Sequence, residues 1–263
     1  MNPLKQLRRG DHKYLVPYLT AGYPDSDTFV RLAEAAVRGG ADILEIGVPF
    51  SDPVADGPVI QMTSQQAIEA GVDGLNIVAA LTARVRDLVD IPLVWMGYLN
   101  PFMHYGYAQA VKLAADSGVD GVIVPDLPFE ECVELGEQLT ACDLAWIPLL
   151  TSTTRDNRAQ AMLERAESFA YYVAVAGVTG ARESYPDGWD RPLARFRAMD
   201  KTPVLVGFGV SGPELARVCV NSGDGVIVGS ALLDKIGRAR NADEAVAATE
   251  RFVAELRQAI DGR

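Results

Sequence analysis

The chain has 263 residues and a net charge of −11, from 35 acidic against 24 basic side chains, so it lacks the basic face that nucleic acids or anionic membranes require. Hydrophobic residues make up 49%, enough for a large core, yet no apolar run reaches the roughly 20 residues that span a bilayer. Cys132, Cys142 and Cys219 are scattered rather than paired, and residues 1–5 lack the apolar stretch of a secretory signal, so no disulfide framework or zinc site is expected and a cytoplasmic protein is.

Apolar runs rich in β-branched residues mark strands at 14–20, 42–47, 92–97 and 119–124, then at 143–148, 169–175, 203–207 and 225–228. Helical periodicity fills intervals between them, at 28–37, 59–70, 107–115 and 158–166. The stretch 59–90 holds two helical segments broken at 71–74, and 243–260 reads as a long amphipathic closing helix. Strands recur about every 33 residues, close to the length of one βα unit. Their continuous apolar character belongs to parallel strands buried on both faces. The expected fold is therefore α/β, a single (β/α)8 TIM barrel over 1–263 with extra helices at the N-terminus and in the loops. An open doubly wound sheet is the alternative.

In such a barrel, chemistry sits at the C-terminal ends of strands and in the loops after them. Glu45 lies near the end of strand 2 and shares a face with Ile43 and Gly47, by strand alternation. Among apolar neighbours its carboxyl is desolvated, which raises its pKa and suits it to exchange protons near neutrality. The loop 48–58 carries three prolines with Ser51, Asp52, Asp56 and Gly57. Asp52 fits a turn cap or a functional carboxylate, and Asp56 fits a helix cap or a second site carboxylate. A Glu/Asp/Asp divalent-metal site is a third reading of the same three residues.

Anion-binding signals gather later. Strand 7 leads into Gly207-Phe208-Gly209-Val210-Ser211-Gly212-Pro213-Glu214, where Ser211 and Glu214 have capping-box spacing. Strand 8 leads into Gly229-Ser230, and a helix start there offers free N–H groups and a favourable dipole to a phosphate. The loop 176–182 is a candidate for completing that cradle or for acting as a lid. His12 and His104 read as surface or capping residues. Asp126 fits either the site or a loop-organising role, and Trp95 and Trp146 read as core or pocket wall.

Several segments together resemble the tryptophan synthase alpha-subunit family. They are PYLTAG at 17–22, EIGVPFSDPVADGPVIQ at 45–61, MGYLNP at 96–101, DLP at 126–128, GVTG at 177–180, GFGVS at 207–211 and DGVIVGSA at 224–231. The resemblance implies a (β/α)8 barrel that cleaves indole-3-glycerol phosphate to indole and glyceraldehyde 3-phosphate by a retro-aldol reaction. It implies Glu45 as general acid/base, Asp56 as the carboxylate at the indole N–H, and Tyr171 in a supporting role. Gly180, Gly209, Gly229 and Ser230 match the phosphate cradle, and Tyr18, Met96, Ile123 and Phe208 the indole pocket. Asp52, Pro53, Asn100, Pro101, Pro128 and Phe129 match surfaces that meet a beta subunit in an α2β2 heterotetramer. Neither cofactor nor metal is implied. Departures occur at Tyr18, at Thr151-Ser152-Thr153 and at Ala174-Val175, where the family more often carries Phe, Ala-Pro-Thr and a serine. A stand-alone lyase releasing free indole is the alternative function. A non-catalytic activating subunit and another sugar-phosphate barrel are the further readings, the first disfavoured by Glu45, Asp56 and the glycine loops, the second by the loop at 50–58.

Overall fold

The computed structural model describes residues 2–174, 185–207 and 209–262. Its parallel strands are β1 (Tyr14–Thr20), β2 (Leu44–Gly47), β3 (Leu93–Met96), β4 (Gly121–Ile123), β5 (Ala145–Trp146), β6 (Leu149–Thr151), β7 (Ala170–Val173), β8 (Val204–Gly207) and β9 (Gly225–Val228). The order β5-β4-β3-β2-β1-β9-β8-β7-β6 leaves β5 and β6 at the two ends of the sheet. Only Ile147 and Pro148 separate those ends along the chain. Ile147 N–H donates to the Val122 carbonyl at 3.1 Å and Tyr171 N–H to the Pro148 carbonyl at 2.9 Å, so the sheet closes into a barrel. The fifth strand, expected unbroken at 143–148, is thus two short pieces. Pro148 supplies an acceptor but no N–H, which interrupts the ladder there.

The strands bury residues on both faces, the inner ones in the barrel and the outer ones under helices. Two helices, Pro58–Glu69 and Leu75–Arg86, follow β2 as the break at 71–74 predicts, and Gly71 takes φ 93° at that break. Two more, Leu99–Tyr105 and Tyr107–Asp116, follow β3 and meet at Gly106 with φ 84°. The closing helix Ala242–Ile260 is capped by Asn241, whose side chain accepts from Glu244 N–H at 2.9 Å. At the opposite end of the chain, the 3-10 turn Pro3–Gln6 places Leu4, fully buried, against Gly121, where a Cβ would collide with the leucine methyl. This turn plugs the N-terminal mouth of the barrel.

A repeated device holds that mouth together. Asp42, Asp120 and Asp224 each stand just ahead of a strand and accept the N–H of a neighbouring strand: Leu15 at 2.7 Å, Leu93 at 2.9 Å and Val204 at 2.9 Å. Each is also paired with an arginine from an outer helix, Arg257, Arg86 and Arg197, all at 2.8 Å. Because these side chains take up hydrogen bonds that a longer ladder would make, β2 and β4 begin later than the apolar pattern suggests. His12, as a surface residue, adds a contact to Asp42 at 2.8 Å.

Asp224 is the most enclosed of the three, with Arg197 bound to both its oxygens and Arg9 at 3.3 Å. Asp224→Ala strands a half-buried guanidinium and the Val204 N–H together, a loss of about 3 kcal/mol. Urea unfolding measures this, and activity per folded molecule should be unchanged because the site lies at the other mouth.

Candidate active site

The C-terminal mouth is assembled from β1, β2, β3, β4 and β7 and the loops that follow them. Register places Glu45 beside Tyr18 and Val94, and Gly47 beside Thr20 and Met96, with Ile123 next to Met96 in turn. Strand alternation then puts Tyr18, Glu45, Met96 and Ile123 on the inner face. Gly47 is required here, because a Cβ would occupy the space of the Tyr18 phenol. Gly207 does the same for Tyr171, whose ring lies over it. Two tyrosines therefore fold into gaps that glycine leaves on the adjacent strand, and both feel the charges of Glu45 and Asp56.

Glu45 and Asp56 are each 2% exposed. Burial pushes the Glu45 carboxyl up to about 8, and the charge of Asp56 adds to the shift. Burial lifts Asp56 to about 6, against the opposing hydrogen bond from the Tyr98 hydroxyl at 2.9 Å. Burial thus favours the protonated form of both carboxyls, and more strongly that of Glu45, where the charge of Asp56 adds to it. Glu45 Oε2 and Asp56 Oδ1 are buried without a hydrogen-bond partner among the described residues. An unpaired oxygen in each carboxyl is costly unless something else is to occupy it.

The loop 48–58 delivers Asp56. The cap of the helix Pro58–Glu69 is Gly57, with no side-chain cap bond, so Asp56 does not cap that helix. Asp56 N–H donates to the Pro53 carbonyl at 3.0 Å and Gln61 Nε2 to the Asp56 carbonyl at 2.8 Å. Asp52 is exposed and accepts from Ser51 Oγ at 2.6 Å, on the outer side of the loop from the buried pair. That separation removes the Glu/Asp/Asp metal reading, and among the described residues no three His, Cys, Asp or Glu side chains gather as metal ligands. Tyr98 is the residue that sequence reasoning missed. It stands inside the MGYLNP motif, but a single tyrosine has no periodicity or spacing that discloses a partner 42 residues away.

At the ends of β8 and β9 the two glycine turns recur as expected. Gly209 has φ 92°, a backbone conformation that side chains disfavour, and Gly229 caps the helix Ser230–Gly237. Leu232 and Leu233 N–H groups bond to the Gly229 carbonyl, so the N–H groups before them point out of the helix start. The capping-box expectation does not hold: the helix Pro213–Ser222 is capped by Gly212 without a side-chain bond, one residue beyond Ser211. Gly180, Phe208 and the loop 176–182 lie outside the described residues.

The remaining candidates resolve into supporting roles. Asp126 organises a loop, accepting Leu99 N–H at 2.8 Å and so holding the start of the helix Leu99–Tyr105. Trp95 is core, fully buried with its indole N–H on Thr82 Oγ1 at 2.9 Å, and Trp146 packs on Phe129. His104 is exposed. At the departure 151–153, Thr151 and Thr153 hydroxyls bond to each other at 2.9 Å. Asp52, Asn100 and Pro128 are exposed and Pro53, Pro101 and Phe129 half-buried, in the segments that follow β2, β3 and β4: Asp52 and Pro53 in the loop 48–58, Asn100 and Pro101 in the helix Leu99–Tyr105, and Pro128 and Phe129 at the 3-10 turn Phe129–Glu131. Val54 in the loop and Met103 in the helix are 75% and 60% exposed, an unusual amount of apolar surface.

A family model described as tryptophan synthase alpha chain matches residues 4–261. The tryptophan synthase alpha chain of Pelobacter propionicus is 42% identical over 257 residues, covering 98% of this chain and 96% of that protein. Among solved structures, the tryptophan synthase alpha subunit of Legionella pneumophila superposes with TM-score 0.88 at 35% identity, over 95% of this chain and 94% of that one. A chain of Mycobacterium tuberculosis tryptophan synthase does so with TM-score 0.84 at 32% identity, over 94% and 93% of the two chains.

The Glu45 carboxyl has a stability consequence of definite sign. Its folded pKa, about 8, lies above the ordinary 4.5, so its contribution to folding is intact below pH 4.5 and is lost as pH rises to about 8. Glu45→Gln removes that loss. Thermal melts should show the variant more stable than the parent chain by several degrees at pH 8.5 and nearly level with it at pH 4.5; a gap that does not grow with pH would contradict the raised pKa.

Proposed function

The chain belongs to the tryptophan synthase alpha chain family, and on that premise we propose that Glu45 and Asp56 carry out the family reaction at the mouth of its barrel. That reaction is the cleavage of indole-3-glycerol phosphate to indole and glyceraldehyde 3-phosphate, a carbon–carbon lyase step of tryptophan biosynthesis. The indole goes to a beta subunit, the partner with which alpha chains of this family work. The observation that supports the site assignment is the buried pair itself: two carboxyls, each 2% exposed, each with an oxygen that has no hydrogen-bond partner among the described residues.

Breaking the bond at indole C3 directly would leave a carbanion, so the ring is protonated first. Neutral Glu45 delivers a proton to C3, and the ring nitrogen becomes cationic with an acidic N–H. Asp56, ionised and with Oδ1 open, accepts that N–H and stabilises the charge. Glu45, now a carboxylate, takes the proton of the side-chain hydroxyl next to C3. The carbon–carbon bond then breaks, its electron pair returns to the ring, the oxygen becomes the aldehyde, and Glu45 regains its proton. Tyr18, Met96 and Ile123 wall the ring, Tyr171 packs over Gly207 beside it, and Phe208 is assigned to the same wall from the family pattern. The turns at Gly209 and Gly229-Ser230, with Gly180, hold the phosphate away from the bond broken, which fixes orientation.

Asp52, Pro53, Asn100, Pro101, Pro128 and Phe129 form the proposed beta-subunit face, in an α2β2 assembly. The exposed Val54 and Met103 among them support that face over a stand-alone lyase. No helix of the described residues is long and apolar enough to cross a membrane, and we assign the chain, as one domain, to the cytoplasm.

Glu45→Gln should lower indole release by about 10²–10⁴-fold, since one group serves two proton transfers. Stopped assays of indole-3-glycerol phosphate cleavage with the beta subunit present measure it, and a variant within a few-fold of the parent removes Glu45 from the chemistry. Ser230→Asp separates phosphate binding from folding. A carboxylate at the first helical position favours the helix dipole by a few tenths of a kcal/mol yet repels a phosphate at the same place. Calorimetry with glycerol phosphate should show affinity at least about tenfold weaker with no loss of thermal stability; unchanged affinity would put the phosphate elsewhere.

A further inference from the structure

Tyr98 follows β3 directly, is 2% exposed, and touches both ends of the loop 48–58. Its ring stacks on Phe50 with centroids 5.3 Å apart at 29°. Its hydroxyl accepts Ala55 N–H at 3.0 Å and donates to Asp56 Oδ2 at 2.9 Å. A phenol has a single proton to give. With the Ala55 N–H occupying the acceptor side, that proton is directed at Asp56, and a protonated Oδ2 would confront a donor. The arrangement matches the carboxylate and mismatches the acid. It also uses Oδ2, so that Oδ1, buried and without a partner among the described residues, is the oxygen that remains.

We propose that Tyr98 is the positioning residue that keeps Asp56 ionised and turns its Oδ1 toward the substrate. The proposal rests on the assignment of Asp56 to the reaction. Burial and the Asp56 charge hold the Tyr98 phenol above its usual range, so it stays a donor at any working pH. Its hydrogen bond is also the influence that lowers Asp56 against the effect of burial. Tyr98 contacts no reacting atom in this account. It works through Asp56.

The test is a double-mutant cycle on the complex with its beta subunit, using indole release from indole-3-glycerol phosphate by the parent chain, Tyr98→Phe, Asp56→Asn and the double variant. Tyr98→Phe should lower kcat about tenfold, the worth of a hydrogen bond to a charged group, with KM within about threefold. The acid limb of kcat/KM, set near pH 6 by Asp56, should move to higher pH because the bond that favours the anion is gone. The double variant should be no slower than Asp56→Asn alone. An unmoved acid limb, or a loss that multiplies in the double variant, overturns the proposal while leaving the function intact. A parent chain that releases no indole, or an Asp56→Asn variant as active as the parent, overturns the functional assignment and this inference with it.

Discussion

Two carboxyl groups are enclosed at the mouth of this barrel, and the influences on Glu45 among the described residues are burial and the negative charge of Asp56. Like charges in a low-dielectric site do not both ionise at neutral pH. Burial raises both carboxyls, and Glu45 further than Asp56, because the charge of Asp56 adds to its shift. Everything else at this end follows from that constraint. The loop 48–58 is tied down so that the second carboxyl is held rather than allowed to swing into solvent. The same burial and the same charges push the phenols of the neighbouring tyrosines upward.

The opposite mouth handles carboxylates in the reverse manner. Asp42, Asp120 and Asp224 are each given an arginine and a backbone N–H, so their charges are matched and they join strand to strand and strand to helix. The barrel is thereby divided: arginine-paired acids hold the N-terminal end together, whereas Glu45 and Asp56 at the C-terminal end have no ion-pair partner among the described residues.

Space at the site is made by subtraction. Gly47 and Gly207 have no side chains where Tyr18 and Tyr171 lie, so large aromatic rings fit inside a barrel otherwise packed with aliphatic residues. The tyrosine at 18, where the family more often has phenylalanine, is accommodated this way. Its hydroxyl reaches the space above Gly47, beside the two carboxylates.

The eight-fold βα repeat, the inward face of Glu45, the helix break at 71–74 and the glycine turns at 209 and 229 were all legible from residue order alone. Each depends on a period of two or 3.6 residues, or on the conformational freedom of glycine, and those are local properties. The division of the fifth strand at Pro148, the cap at Gly212 rather than Ser211, and the choice between cap and site carboxylate for Asp56 were not legible. Each turns on which group elsewhere in the chain comes near. Asp56 meets Tyr98 from 42 residues away, Asp224 meets Val204 from 20, and Asp42 meets Arg257 from 215. Sequence thus determined which residues face inward and where the backbone turns. Only the closed barrel decided which acids are paired and which are not, because charge and desolvation act through space, and closure alone brings those neighbours together.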